Sequence, residues 1–104
     1  MTALSSTDGL VSLRPFEPGD IAYVLDAWMM GLEVTRGRKL VSIALENVVS
    51  KSRTIVACLT DERTAIVGFA VAEEGFDVVR FASVRKRWAG YGIMEALIVA
   101  ARSV

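Results

Sequence analysis

Val84-Arg85-Lys86-Arg87-Trp88-Ala89-Gly90-Tyr91-Gly92-Ile93-Met94-Glu95-Ala96-Leu97-Ile98 is the stretch whose reading decides the fold. It enters as the end of an apolar run, crosses two closely spaced glycines, and leaves with Ile93, Met94, Leu97 and Ile98 at helical spacing. A strand, a Gly-x-Gly turn and a helix start form the physical recipe for holding a phosphate. Glycine lets the backbone approach closely. The first turn of a helix offers N–H groups without intrahelical partners, at the positive end of its dipole. Arg85, Lys86 and Arg87 stand just before the turn and add positive charge there.

Working back along the chain, three strands are predicted in quick succession, at 54–60, 65–73 and 76–84. A polar turn at 61–64 joins the first two, and Glu74-Gly75 joins the second pair. Links this short make antiparallel hairpins. Before them, Val41, Ala44, Leu45, Val48 and Val49 recur at helical spacing and predict a helix over about 39–50. Ile21, Val24, Leu25, Trp28 and Met29 predict another, with Asp20 as its N-cap and Gly31 as its stop. Residues 11–14 alternate as a short strand that Pro15 ends. Residues 1–9, small and polar, read as a flexible leader, which leaves 10–104 as one domain. The expected order is β-α-α-β-β-β-α, an α+β fold in which helices pack on a mostly antiparallel sheet.

Composition narrows the chemistry. Hydrophobic residues make up 53% of the chain before its eight glycines are counted, above the usual ~45–50% for apolar residues and glycine together. A domain of this size has proportionally much surface, so part of that surplus is expected to meet another subunit or partner. Twelve basic and twelve acidic residues balance, so no overall field favours nucleic acid. Without histidine there is no Ser-His chemistry, and a metal site is not expected. Cys58 sits in an apolar run and reads as a small buried residue. The start of the chain has no signal-peptide pattern, and no apolar run reaches membrane-spanning length. A cytoplasmic protein with no membrane partner is the expectation.

The order of elements, and the glycine turn between the fourth predicted strand and the last helix, resemble the GNAT (N-acetyltransferase) family. Leu13-Arg14-Pro15-Phe16-Glu17-Pro18-Gly19-Asp20 is similar to that family's first strand and the acidic start of its first helix. In the turn, Val84, Trp88, Gly90, Gly92, Ile93, Leu97 and Ile98 match the family's pattern in place. The resemblance covers about residues 10–104. It implies that Val84, Arg85, Arg87, Gly90, Tyr91, Gly92 and Ile93 lie at an acetyl-CoA site. The turn's amides would hold the pyrophosphate, and the fourth strand's backbone would pair with the pantetheine arm.

The departures from the pattern are chemical. The family's arginine or glutamine position holds Ala89, its last small position holds Met94, and its proline position holds Lys86. A second register, in which Arg87-Trp88-Ala89-Gly90-Tyr91-Gly92 reads as Arg-x-x-Gly-x-Gly, restores the arginine but moves Leu97 and Ile98 off the buried helix positions. The fourth strand carries no carboxylate for a general base, and Glu73 and Glu74 read as a solvated turn. The family continues with further strands and a helix bearing a tyrosine, so the full fold's C-terminal strands are expected to be lacking. Tyr91 suits packing better than proton donation, and no residue is assigned a catalytic role.

Two readings follow. In one, the fold serves as a non-catalytic binding or assembly element with a degenerate acyl-CoA site, similar to short GNAT-like proteins of tailed bacteriophages, including virion structural components. An exposed sheet edge would then pair with a second copy or another protein, in the host cytoplasm or the virion. In the other, the chain is an acetyl-CoA-dependent N-acetyltransferase acting on an amine, completed by dimerisation. Acetyl-CoA is the cofactor only in the second case.

Overall fold

A computed structural model describes residues 2–73 and 78–102. Its elements in chain order are β1 (Thr2–Ala3), β2 (Val11–Pro15), α1 (Ile21–Gly31), α2 (Arg38–Ser50), β3 (Ser52–Leu59), β4 (Glu62–Glu73), β5 (Val78–Val84) and α3 (Ile93–Arg102). Among the described residues the five strands form one antiparallel sheet in the order β1-β2-β3-β4-β5. The α+β fold expected from the sequence is the one observed. The Glu74-Gly75 link and the predicted start of the last strand at Phe76 and Asp77 lie outside the described residues.

Alternation along the strands builds two cores, one on each face of the sheet. Val24, Leu25, Trp28 and Met29 of α1, with Leu45 and Val49 of α2, pack on Val56, Phe69 and Val71. Ile93, Leu97 and Ala101 of α3 pack on the opposite face against Val11, Ala57, Val67, Ala70 and Ala72. The α1 face is aromatic: Phe81 stacks on Trp28 with ring centres 5.4 Å apart and lies 5.7 Å from Phe69. The sheet residues buried on the α3 face are alanines and valines. Cys58 is fully buried, as expected for that apolar run.

Three details differ from the sequence expectation. Residues 2–9, read as a leader, place Thr2 and Ala3 against Leu13 and Ser12, and Thr7 is buried with its hydroxyl donating to the Leu4 carbonyl. The β3–β4 turn is tighter than 61–64, because Leu59 pairs with Glu62 while Cys58 pairs with Ile66. Residues 63–65 are therefore extra on β4, a bulge, and Val67 is extra between Ile66 and Gly68, a second irregularity that lets Ile66 and Phe69 share the α1 face. Asp20 does not cap α1 with its side chain. It accepts from the Glu17 amide at 2.7 Å and from both terminal nitrogens of Arg14. A buried guanidinium is the stronger claim on a carboxylate than a solvated helix end.

Candidate functional site

The end of β5 reaches the turn through a close approach. Gly68 faces Val84 across the ladder, and a Cβ there would lie 2.6 Å from the Ser83 carbonyl oxygen. The Arg85 amide then donates to the Val67 carbonyl at 2.7 Å, so β4 still holds the chain one residue past the strand. A single 3-10 turn follows at Lys86–Trp88. Gly90 and Gly92 take φ of +87° and +76°, the left-handed region that glycine occupies without penalty. The Ala96 amide is the first to donate back into the turn, to the Gly92 carbonyl at 3.1 Å. Among the described residues, no acceptor meets the amides of residues 90–95. This backbone fits a phosphate.

Its side chains do not. The hollow at the turn, about 430 Å³, is lined by Val84, Gly90, Gly92 and Ile93, as the sequence predicts, together with Ala89 and Met94. Among the described residues, the one ionisable side chain lining it is Glu95, in the first turn of α3. That carboxylate stands in the positive field of the helix start, where an anionic ligand would have to sit. Tyr91 is about half exposed, and its ring lies 5.8 Å from the Trp88 ring. Arg85 and Arg87, read from the sequence as part of the same cradle, are not brought to it. With Lys86 they line a different groove on the far side of Trp88. Arg85 is held there from two directions, its Nε donating to the Ile66 carbonyl at 2.7 Å and its guanidinium 4.8 Å from the Tyr23 ring centre.

This second groove, about 880 Å³, lies between the start of α1, the β3–β4 hairpin and the segment after β5. Beneath its floor Arg14 and Asp20, only 3% and 5% exposed, form a bidentate pair with distances of 2.7 and 2.8 Å. Arg14 also donates to the Arg63 carbonyl on the bulge, at 2.8 and 3.2 Å, and to the Pro15 carbonyl at 3.1 Å. The hydrogen bonds from Arg14 to Asp20 raise the guanidinium further above its ordinary value, against the opposing effect of burial. For Asp20, burial pushes the carboxyl up, but the Arg14 guanidinium, the Glu17 amide and the charge of Arg63 together hold it below the ordinary 3.8. The pair ties β2, the bulge and the start of α1 into one unit.

A third groove, about 450 Å³, runs between α1 and the outer part of β5 and contains Tyr23, Asp26, Met30, Phe81 and Ser83. Asp26 is largely exposed, with Arg38 at 3.7 Å. Sequence reasoning passed over both Asp26 and Glu95. Asp26 stands three residues after Tyr23 and four before Met30, a spacing that puts all three on one edge of the helix. Glu95 was legible as an acid in a helix first turn.

No protein-family model matches the sequence, and no curated protein matches it significantly. Among solved structures, the chain is similar to a possible acetyltransferase from Clostridium difficile 630, with a TM-score of 0.65. The match covers 88% of this chain and 68% of that one at 13% sequence identity. Identity that low shows a shared fold and leaves function to the site. The fold is GNAT-like.

Proposed function

We propose that this chain is a non-catalytic binding and assembly element on a GNAT-like fold, with a degenerate acyl-CoA site. One observation carries the reading: among the described residues, the hollow beside the glycine turn offers Glu95 as its one ionisable side chain, while Arg85, Lys86 and Arg87 line another groove. A pyrophosphate at the turn would gain backbone amides but meet a carboxylate and the Met94 side chain, with no cation to offset them. Assembly is supported by β5, whose outer edge no strand pairs among the described residues. Its seven residues carry a single charge, Arg80, and Val78 at its start is half exposed. An apolar edge of that length suits pairing with a second copy or another protein. A virion structural role is the setting that the sequence resemblance brings to this reading.

Calorimetry with acetyl-CoA tests it. Affinity no tighter than about 1 mM is expected. Micromolar binding that disappears in a Gly92→Pro variant would defeat the degenerate-site reading. Light scattering is expected to find an oligomer, and a strict monomer counts against assembly by self-pairing.

A second reading, an N-acetyltransferase, is favoured by the groove along β5, where Asp26 and Tyr23 supply a carboxylate and a phenol beside the open edge. It predicts release of thiol from acetyl-CoA in the presence of a primary amine such as spermidine, lost in Asp26→Asn. No thiol release with millimolar acetyl-CoA sinks it.

A further inference from the structure

The groove on the α1 side of Trp88 is the site of neither reading, yet it has the build of a ligand site. Its volume of about 880 Å³ lies within the ~300–1,000 Å³ common for small-molecule sites. Ala22, Leu59, Ala65, Ile66 and Val67 give it an apolar lining, and Trp88 also lines it.

Its charges are unequal in a way that a count of residues hides. Both acids that line it are already engaged: Asp20 by the bidentate Arg14, and Glu17 by Arg63. The cations of its rim are not. Lys86 and Arg87 are exposed, and among the described residues no carboxylate stands within ion-pair distance of either. Arg85 uses its Nε on the Ile66 carbonyl, which leaves its terminal nitrogens as donors along the wall. Net positive charge above a low-dielectric floor focuses the field into the groove. The rim is also pre-formed. The Arg85 amide is tied to Val67 at 2.7 Å, and the Trp88 amide to the Arg85 carbonyl at 2.8 Å, so the three basic residues and the indole leave one short rigid turn.

We infer that this groove binds a small ligand with a planar aromatic ring linked to a phosphate. The phosphate is held among Arg85, Lys86 and Arg87, and the ring lies on the Ile66 floor against Trp88. This site is independent of the glycine turn, which faces the other side of Trp88. The inference stands whether or not acetyl-CoA binds.

The test is a titration of the full chain with AMP, with adenosine and inorganic phosphate as the two half-ligands, read by calorimetry and tryptophan fluorescence. Saturable binding with a dissociation constant below about 1 mM is expected, weakening as salt rises. Lys86→Ala/Arg87→Ala removes two exposed side chains, so the fold is expected to persist by thermal unfolding while affinity falls about tenfold or more. Each half-ligand is expected to bind at least about tenfold more weakly than AMP. A Glu95→Gln variant, which alters an exposed side chain lining the hollow across Trp88 and not this groove, is expected to bind AMP as the parent does. No saturation at about 5 mM AMP overturns the inference. So does binding that survives the double substitution, and so does AMP binding strengthened by Glu95→Gln, which would put the ligand in the glycine turn. A half-ligand that binds as well as AMP overturns the ring-plus-phosphate assignment.

Discussion

The two hollows that flank Trp88 draw their polarity from different sources. On the α3 side it comes from the backbone: two glycines at positive φ and, among the described residues, six consecutive amides without acceptors and no cation. On the α1 side it comes from side chains: Arg85, Lys86 and Arg87 over an apolar floor, with Arg14 and Asp20 locked beneath. The first arrangement follows from connectivity, since β5 must turn sharply into α3 and glycines at positive φ are the way to do it. It persists whether or not a ligand uses it. The second follows from which way one 3-10 turn faces, held by the Arg85 amide on Val67. A phosphate-shaped backbone is therefore weaker testimony to a ligand than cations without carboxylate partners.

The largest effect is expected from Arg14, which supports the α1-side groove and touches nothing at the glycine turn. Arg14→Leu leaves the Asp20 carboxylate buried without its partner, and breaking one side of a buried pair costs about 3–5 kcal/mol. Urea unfolding measures it. A loss below about 1 kcal/mol would mean that the pair behaves as an exposed one. The groove would then lack the rigid floor that distinguishes it from the hollow across Trp88.

Gly68→Ala comes next and acts on both hollows at once. Its Cβ would meet the Ser83 carbonyl oxygen at 2.6 Å and the Val84 Cα at 3.1 Å, backbone atoms that move only with β5 itself. Overpacking of this kind costs about 1–3 kcal/mol. Amide chemical shifts of Arg85, Trp88 and Gly90 are expected to move together in this variant. Shifts on only one side of Trp88 would show that the two hollows are not hinged on the same strand end.

The sequence carried the parts of this fold that rest on periodicity. The α1 and α2 faces, the buried positions of α3 and the antiparallel strands follow from apolar spacing of 3.6 and 2, which the core requires. Ala44 is the exception on α2, exposed where the spacing placed it on the apolar face. What escaped was set by single long side chains. Arg14 reaches across to Asp20 and to the bulge carbonyl of Arg63, so Asp20 serves an ion pair where its position before a helix promised a cap. The bulge at residues 63–65 carries no glycine or proline to announce it. At the site, adjacency in sequence made Arg85, Arg87, Gly90 and Gly92 look like one cradle. Only the turn between them, and the hold of Ile66 and Tyr23 on Arg85, reveals two.

Acid separates the two hollows a third way. Asp20 is held below its ordinary value of 3.8 in the folded chain. The unfolded state therefore binds more protons across that range, and stability from the pair is present above about pH 4. It is lost as pH falls from there through the folded value. Melting temperature followed from pH 7 downward is expected to drop below about pH 4, and to drop less in Asp20→Asn. An Asp20→Asn variant with the parent's acid profile would remove this pair as the titrating element. The groove's floor would then be no more acid-sensitive than the glycine turn.

The smallest effect expected is at Glu95, and it bears most directly on why the two hollows differ. If the carboxylate is what keeps an anion from the α3-side amides, then Glu95→Gln removes that opposition and leaves every amide in place. A charge at a helix start is worth about 0.3–1 kcal/mol, so affinity for inorganic pyrophosphate should rise about two- to fivefold. The side chain is exposed, so the fold is not expected to change with it. AMP binding in the other groove provides the internal reference, since Lys86 and Arg87 are untouched. A gain at the turn with AMP affinity unchanged makes Glu95 the residue that sets the two hollows apart. No gain would place the obstruction with Met94, the other side chain that narrows the amide cradle, and Met94→Gly would then be the variant in which pyrophosphate binds.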